Sequence, residues 1–346
     1  MEANDRSSDS QSEIVQVKSG PLDDNPIVRR VGDLAKYTLL LVVILATIYF
    51  LRKKLKELGI TWSAVVDAIG NVSTVSISIA VLITLANFLL LTGYDLIAVR
   101  YLQKKLPLRK VMLGAVIGYA LSNILGWLIG GNAVRYRLYS KWGFSLVEFV
   151  AFISIISITF WLGLFLLAGL SFVLLPVRIP ARIQEDFPLN PLVLGWVLLT
   201  LVAAYLLSSA LIRRPLKWKG SSISLPPFRL SLMQVIVSAG DFALASTVLY
   251  VLLPSGIRGL DEVNFTTILV AYLVAMIIVV NVHVPGGFGI LEVTVLYMMP
   301  DDAGVQVTAA LILFRIIYYF IPAIVALFLF LYIELKTHRA SPNQEV

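Results

Sequence analysis

The sequence contains no cysteine, which excludes disulfides, thiolate nucleophiles and cysteine-bound metals. Its two histidines are His283 and His338, too few for a histidine-rich metal centre. Charge is also scarce. Asp, Glu, Lys and Arg make up 14% of the 346 residues, where a soluble domain carries about 25%. There is no Walker loop, dinucleotide fingerprint or G-x-S-x-G elbow. The acidic cluster of a metal-dependent transferase is missing as well. Residues 1–33 are polar and do not open on a basic n-region, so no signal peptide is expected. No cofactor, metal or nucleic-acid partner is expected.

What is present is hydrophobic sequence, 58% of the chain. It is gathered into runs near 36–51, 74–97, 111–130, 146–175, 192–212, 230–253, 264–284 and 307–334. About 20 helical residues cross the hydrocarbon core, and an open sheet cannot exist there. The pattern predicts an all-α polytopic membrane protein with six to eight transmembrane helices. Polar tails are expected at 1–33 and 336–346, disordered at the N-terminus, around one membrane domain at 34–335. The net charge of +7 then concerns topology and anionic headgroups. Residues 55–69 read as a short interfacial helix, with Trp62, Trp142 and Trp218 as interfacial anchors.

Two segments do not read as simple spans. They are GYALSNILGWLIGGNAVRYRLY, residues 118–139, and NVHVPGGFGILEVTVLYMMP, residues 281–300. Each places a Gly-Gly pair after an apolar run, and the second adds Pro285 and Gly289. Such breaks belong in a membrane only where protein or a cavity satisfies the freed backbone groups. Eight simple spans divide the cations evenly between the two sides. Treating both Gly-Gly segments as re-entrant gathers the cations on one side, and the positive-inside rule then places both termini in the cytoplasm. A weak internal similarity accompanies the breaks. TGYD at 92–95 precedes Gly130-Gly131, and AGD at 239–241 precedes Gly286-Gly287. This suggests inverted repeat halves, 34–180 and 190–335, an arrangement that puts a substrate site near the bilayer midplane.

The candidate functional residues are the polar groups inside these apolar surroundings. Arg315 lies within the nearly uncharged stretch 309–332, and a charge there faces protein or a polar path. Its guanidinium suits a phosphate or carboxylate, and Glu292, Asp241 or Glu148 could equally pair with it. Glu292, just after the second break, caps a helix end or helps hold an anion there. His283 is a proton relay or a helix-end hydrogen bonder, and Asn281 a headgroup donor or a helix bridge. Asp241 is an ion-pair partner, part of a cation site, or the carboxylate that attracts a headgroup amine. Asp95, five residues before Arg100, reads as a surface salt bridge. Glu148 completes an S-x-x-E capping box with Ser145. Arg135, Arg137 and Lys141, interleaved with Tyr136, Tyr139 and Trp142, suit a phosphate-rich interface or simply hold topology. Asn123 lines a pocket or packs helices.

Five segments together resemble the membrane domain of lysylphosphatidylglycerol synthase-flippases. They are GNAVRYRLYSKWGFS (131–145), FWLG (160–163), AGDFALASTVLYVLLP (239–254), NVHVPGGFGILEVTVLYMMP (281–300) and LFRIIYYFIPAIVAL (313–327). The resemblance spans roughly 35–335. It implies a stand-alone bacterial inner-membrane branch without the cytosolic aminoacyl transferase domain, so synthase activity is not expected. It also implies importance for 135–139, Asp241, 283–292 and Arg315. The expected function is translocation of a phospholipid, aminoacylated or not, or of another amphipathic lipid. An embedded lipid-modifying enzyme and a non-transporting lipid-binding or assembly protein are the alternatives. Membrane phospholipids, a second copy of the chain and a separate lipid-modifying enzyme are the expected partners.

Overall fold

Lipid offers no water to the backbone, so an apolar run must close its hydrogen bonds within itself. The computed structural model follows this rule. It describes residues 61–126, 130–174, 190–212, 216–218, 221–223, 225–258, 263–282 and 285–339, with Tyr49, Arg52, Lys53, Lys56 and Gly59. These lie in one compact unit, Leu45–Val346. The N-terminal tail, most of the first apolar run and His283 fall outside the described residues.

The helices are α1 (Trp62–Gly70), α2 (Thr74–Tyr101), α3 (Leu108–Leu125), α4 (Asn132–Lys141), α5 (Leu146–Leu174) and α6 (Pro191–Leu211). A short antiparallel hairpin follows, β1 (Leu216–Trp218) with β2 (Ser221–Ile223). Then come α7 (Phe228–Leu252), α8 (Phe265–Val282), α9 (Ile290–Met298), α10 (Gly304–Phe314) and α11 (Ile321–Arg339). The π-helical segment Arg315–Phe320 joins α10 to α11. Six helices among the described residues are long and apolar enough to cross a membrane: α2, α3, α5, α6, α7 and the continuous Gly304–Lys336. The fold is all-α apart from the small extramembrane hairpin.

Helix starts are marked by the sequence. Ser73 Oγ accepts from Ser76 N–H (3.1 Å) ahead of α2, and Asn190 Oδ1 accepts from Leu192 N–H (2.9 Å) ahead of α6. Ser145 and Glu148 close the capping box of α5, through Ser145 N–H to Glu148 Oε2 (2.9 Å) and Glu148 N–H to Ser145 Oγ (3.3 Å). Each cap satisfies amides that a helix start leaves unpaired.

Contacts between helices give their directions. Gly93 lies against Val237, and Arg258 donates to Ser76 Oγ (3.3 Å), so α2 and α7 are antiparallel. Thr159 meets Gln234, and Gly163 meets Ser238, so α5 and α7 are parallel. Gly195 packs on Val173, and Gly169 on Leu199, so α6 runs opposite to α5. Along α3 and α4 the neighbours are Ser122 with Gly131, Gly118 with Arg135 and Gly114 with Tyr139. The helix α3 ends at Gly126, at φ 84°, not at the Gly-Gly pair the sequence singles out; by Gly130-Gly131, which are already helical, the chain has reversed, and it comes back along α3. Lys104 reaches both Gly143 O (3.2 Å) and Glu148 (2.7 Å), closing the open end of this hairpin.

The second break behaves in the same way from the opposite side. Tyr250, near the end of α7, meets Phe265 at the start of α8. After the turn at Pro285–Gly287, α9 packs against α8, and α10 returns through the turn Asp301–Ala303 to place Arg315 beside Glu292. Gly286 sits at φ 64° and Gly289 at φ 80°, left-handed positions that suit glycine. One half therefore runs α2, hairpin α3–α4, α5. The other runs α7, hairpin α8–α9, α10–α11, with every direction reversed. Helix α6 connects them. A β-branched or even a methyl side chain at Gly163 would break the contact between the halves. A Cβ there would lie 2.4 Å from the Ser238 carbonyl carbon and 2.5 Å from Ala239 N. Those are backbone atoms, so Gly163→Ala is expected to cost about 1–3 kcal/mol as overpacking. Thermal unfolding of the purified variant reads it, and an unchanged midpoint would reject the close contact.

Candidate functional site

The two hairpins meet inside the protein. Ile124 O, one turn from the tip of the first, lies against Gly286 at the tip of the second. Around this junction lie, among the described residues, five carboxylate and guanidinium side chains that the sequence scatters over 220 residues. Two ion pairs account for four of them.

The first pair joins hairpin α3–α4 to α2. Arg135 Nη2 donates to Asp95 Oδ1 (3.1 Å), with both side chains fully buried. Tyr139 Oη donates to Asp95 Oδ2 (2.7 Å), and the guanidinium lies over the Tyr119 ring at 3.8 Å. Gly118 makes room for this arginine, since a Cβ there would fall 2.3 Å from Arg135 Nε. Arg135 Nε and Nη1 have no hydrogen-bond partner. Asp95 does not form the surface bridge to Arg100 that its spacing suggests. The helix turns Asp95 inward, and its cation comes from 40 residues further on.

The second pair has the same build with the charges exchanged. Here the carboxylate is on the hairpin and the arginine on the flanking helix. Arg315 Nε donates to Glu292 Oε1 (2.6 Å), and Nη2 to Glu292 Oε2 (3.1 Å). Nη1 donates to Gly286 O (2.7 Å) and Nη2 also to Gly287 O (3.0 Å). Glu292 Oε2 accepts from Gly289 N–H (2.9 Å), capping α9. All three nitrogens of Arg315 are engaged by the protein, and its plane lies between Phe288 (4.6 Å) and Tyr319 (4.5 Å). Its local role is plain: it satisfies carbonyls that the Pro285–Gly287 break removed from a helix.

The fifth group is Asp241, on α7. Tyr94 Oη donates to its Oδ2 at 2.9 Å. Asn87 Nδ2 donates to the Asp241 backbone carbonyl (3.0 Å) and to Tyr318 Oη (3.0 Å). Asn87 Oδ1 is buried without a partner. Asp241 is half-buried, whereas Asp95 is sealed. Among the described residues, none of the groups that meet its carboxylate is an arginine or a lysine.

The other residues singled out by sequence lie elsewhere. Asn281 is exposed on α8, its Nδ2 donating to Ile277 O (2.7 Å). Asn123 is half-buried on α3, one residue before the contact with Gly286. Arg137 grips Glu334 with two hydrogen bonds of 2.9 Å, and Lys141 joins at 2.7 Å, tying α4 to α11 at an exposed end. Glu148 works as a helix cap there. The structure thus gathers Arg135, Asp241, Glu292 and Arg315 around the junction, and separates Arg137, Glu148 and Asn281 from it. Tyr94, Asn87, Tyr119, Tyr139 and Tyr318 complete the site; Tyr139, Tyr94 and Tyr318 lie in segments the sequence singled out, but Asn87 and Tyr119 carry no marker, because such residues are common in apolar helices.

Comparison with known proteins fits this geometry. No family model matches the chain. It is 35% identical over 289 residues to the Synechocystis sp. protein slr0712, covering 82% of this chain and 87% of that one. It is 31% identical over 315 residues to the Escherichia coli inner membrane protein YbhN, covering 90% and 96%. Phosphatidylglycerol lysyltransferase of Staphylococcus haemolyticus is 30% identical over 254 residues, 70% of this chain but 27% of that protein. The chain therefore belongs to the family of the Escherichia coli inner membrane protein YbhN and is a multi-pass membrane protein, similar also to about a quarter of the length of the lysyltransferase.

Proposed function

We propose that this protein translocates a phospholipid across the cytoplasmic membrane, moving the headgroup through the junction of the two hairpins. The observation that carries this reading is Asp241: a half-buried aspartate midway along α7 whose carboxylate meets Tyr94 and, among the described residues, no arginine or lysine. An anchor or assembly protein has no use for such a group, and intramembrane charges of this kind mark substrate paths. It suits the amine of a zwitterionic or aminoacylated headgroup. The acyl tails stay in hydrocarbon, so the protein need lower only the cost of bringing a charged headgroup through a low-dielectric layer. Hairpins that start from opposite sides and meet in the middle suit access from either face in turn.

Arg315 would reach a lipid phosphate when Glu292 lets go of it, and Arg135 has donors to offer as its hairpin shifts. The end bearing Arg100, Lys104, Lys105, Arg109, Lys110, Arg137, Lys141, Arg229 and Lys336 is assigned to the cytoplasm by the positive-inside rule. The opposite end has fewer cations, Arg258 among them. Relationship to phosphatidylglycerol lysyltransferases supports a lipid as substrate.

The test is headgroup movement in proteoliposomes, using a panel of headgroup-labelled lipids. Wild type is expected to exceed protein-free vesicles for at least one amine-bearing lipid. Asp241→Asn, isosteric and folded, is expected to fall to the protein-free rate, while Arg137→Ala keeps the wild-type rate. A lipid chemically altered by the protein would point instead to an embedded enzyme. No acceleration for any lipid would sink the translocator reading.

A further inference from the structure

The two halves treat their equivalent carboxylates differently. Asp95 follows Gly93 and Tyr94 on α2, and Asp241 follows Gly240 on α7, each ahead of its hairpin. Arg135 answers the first. Among the described residues nothing cationic answers the second. The described titratable groups that feel the Asp241 charge are all phenols: Tyr94 on α2, which touches it, and Tyr119 on α3, Tyr272 on α8, and Tyr318 and Tyr319 in the π segment. Both arginines nearby are closed in their own pairs. With those pairs neutral, the described residues leave one uncompensated negative charge at the junction, in low dielectric.

Such a charge requires a positive occupant whenever no headgroup amine is there. A hard metal cation takes about six or more oxygens. The surroundings of Asp241 offer its carboxylate, the Tyr94 and Tyr318 hydroxyls and the orphaned Asn87 Oδ1, and the two hydroxyls and the amide nitrogen are already committed to hydrogen bonds. A proton needs one oxygen. Partial accessibility gives it a way in and out, which the sealed Asp95 lacks.

We infer that Asp241, with Tyr94 as its hydrogen-bond partner, is an exchangeable proton site that couples lipid movement to the transmembrane proton gradient. The coupling rests on the translocator reading; the proton site does not. Hydronium on one side gives its proton to an Asp241 oxygen, forming O–H and leaving water. On the other side that O–H passes its proton to water and the carboxylate re-forms. A headgroup ammonium and the proton are then alternative occupants, so the two move in opposite directions.

Two measurements separate the claims. Infrared difference spectra of the full-length protein in nanodiscs, recorded across pH in H2O and D2O, are expected to show a protonated-carboxyl C=O band absent from Asp241→Asn. Tyr94→Phe removes a donor that favours the carboxylate, so the band should persist to higher pH in that variant. No band assignable to Asp241 at any pH, or a band indifferent to Tyr94→Phe, overturns the site. In proteoliposomes, an imposed pH gradient is expected to make an amine-bearing lipid accumulate in one leaflet with wild type, and to do nothing with Asp241→Asn. Lipid movement that ignores the pH gradient or follows a sodium gradient overturns the coupling and leaves the translocator standing. A titrating Asp241 without any lipid movement overturns both coupling and translocation, and leaves the proton site.

Discussion

Arg315→Ala is expected to destabilise the protein by more than the loss of one ion pair would suggest. Removing the guanidinium strands Glu292, which is buried, and frees the carbonyls of Gly286 and Gly287. Breaking a buried pair from one side costs about 3–5 kcal/mol, because a charge is left uncompensated. Each carbonyl left without a donor adds about 1–3 kcal/mol. The expected readout is a large fall in the thermal midpoint in detergent, together with poor monodispersity. The double variant Arg315→Met/Glu292→Gln removes both charges and should recover the electrostatic share. It should not recover the rest, since no donor reaches the glycine carbonyls. Full recovery would mean that the arginine acts as a charge alone and is not a clamp on the broken loop. A wild-type midpoint for Arg315→Ala would refute the arrangement outright.

Arg135→Met should behave differently when rescued. It strands the fully buried Asp95, leaving tyrosine hydroxyls, Tyr139 foremost, as its described donors, so a loss of about 3–5 kcal/mol is again expected. Arg135 binds no backbone carbonyl in this structure, and two of its nitrogens are already without partners. Asp95→Asn/Arg135→Met is therefore expected to restore stability nearly in full, and replacement of a buried pair by apolar groups can even stabilise. Comparing the two rescues separates a loop clamp from a charge pair by thermal unfolding alone. Arg137→Ala serves as the reference. Its bridge to Glu334 is exposed on the arginine side, where such pairs contribute about 0–1 kcal/mol. A rescue of the Asp95–Arg135 pair no better than that of the Glu292–Arg315 pair would show that Arg135 holds something beyond Asp95.

Lipid substrate, proton site and hairpin architecture bear on each other through one residue. If Asp241 both titrates and is needed for headgroup movement, the two ion pairs have a simple purpose. They neutralise every other carboxylate and guanidinium described at the junction, leaving the occupancy of Asp241 to set its net charge.

Sequence by itself determined the class, the helices and the breaks. Apolar runs of membrane length force helices because lipid leaves the backbone no other partner. Gly126 and Pro285–Gly287 end those helices for reasons of backbone geometry, which are local, whereas Gly130-Gly131, also marked by the sequence, are helical and let α4 approach α3. The capping box at Ser145 and Glu148 was legible for the same reason, three residues apart in one turn. Tertiary structure decided which charges pair. Arg135 belongs to Asp95 across 40 residues, and Arg315 to Glu292 across 23. No periodicity selects those partners over Arg100 or Asp241, because partner choice in low dielectric depends on which side chains the helix contacts bring within about 3 Å. The same holds for Asp241. Its sequence showed a carboxylate deep in an apolar run, but only the packing of α2, α3, α8 and the π segment around it surrounded it with phenols and left it without a cation.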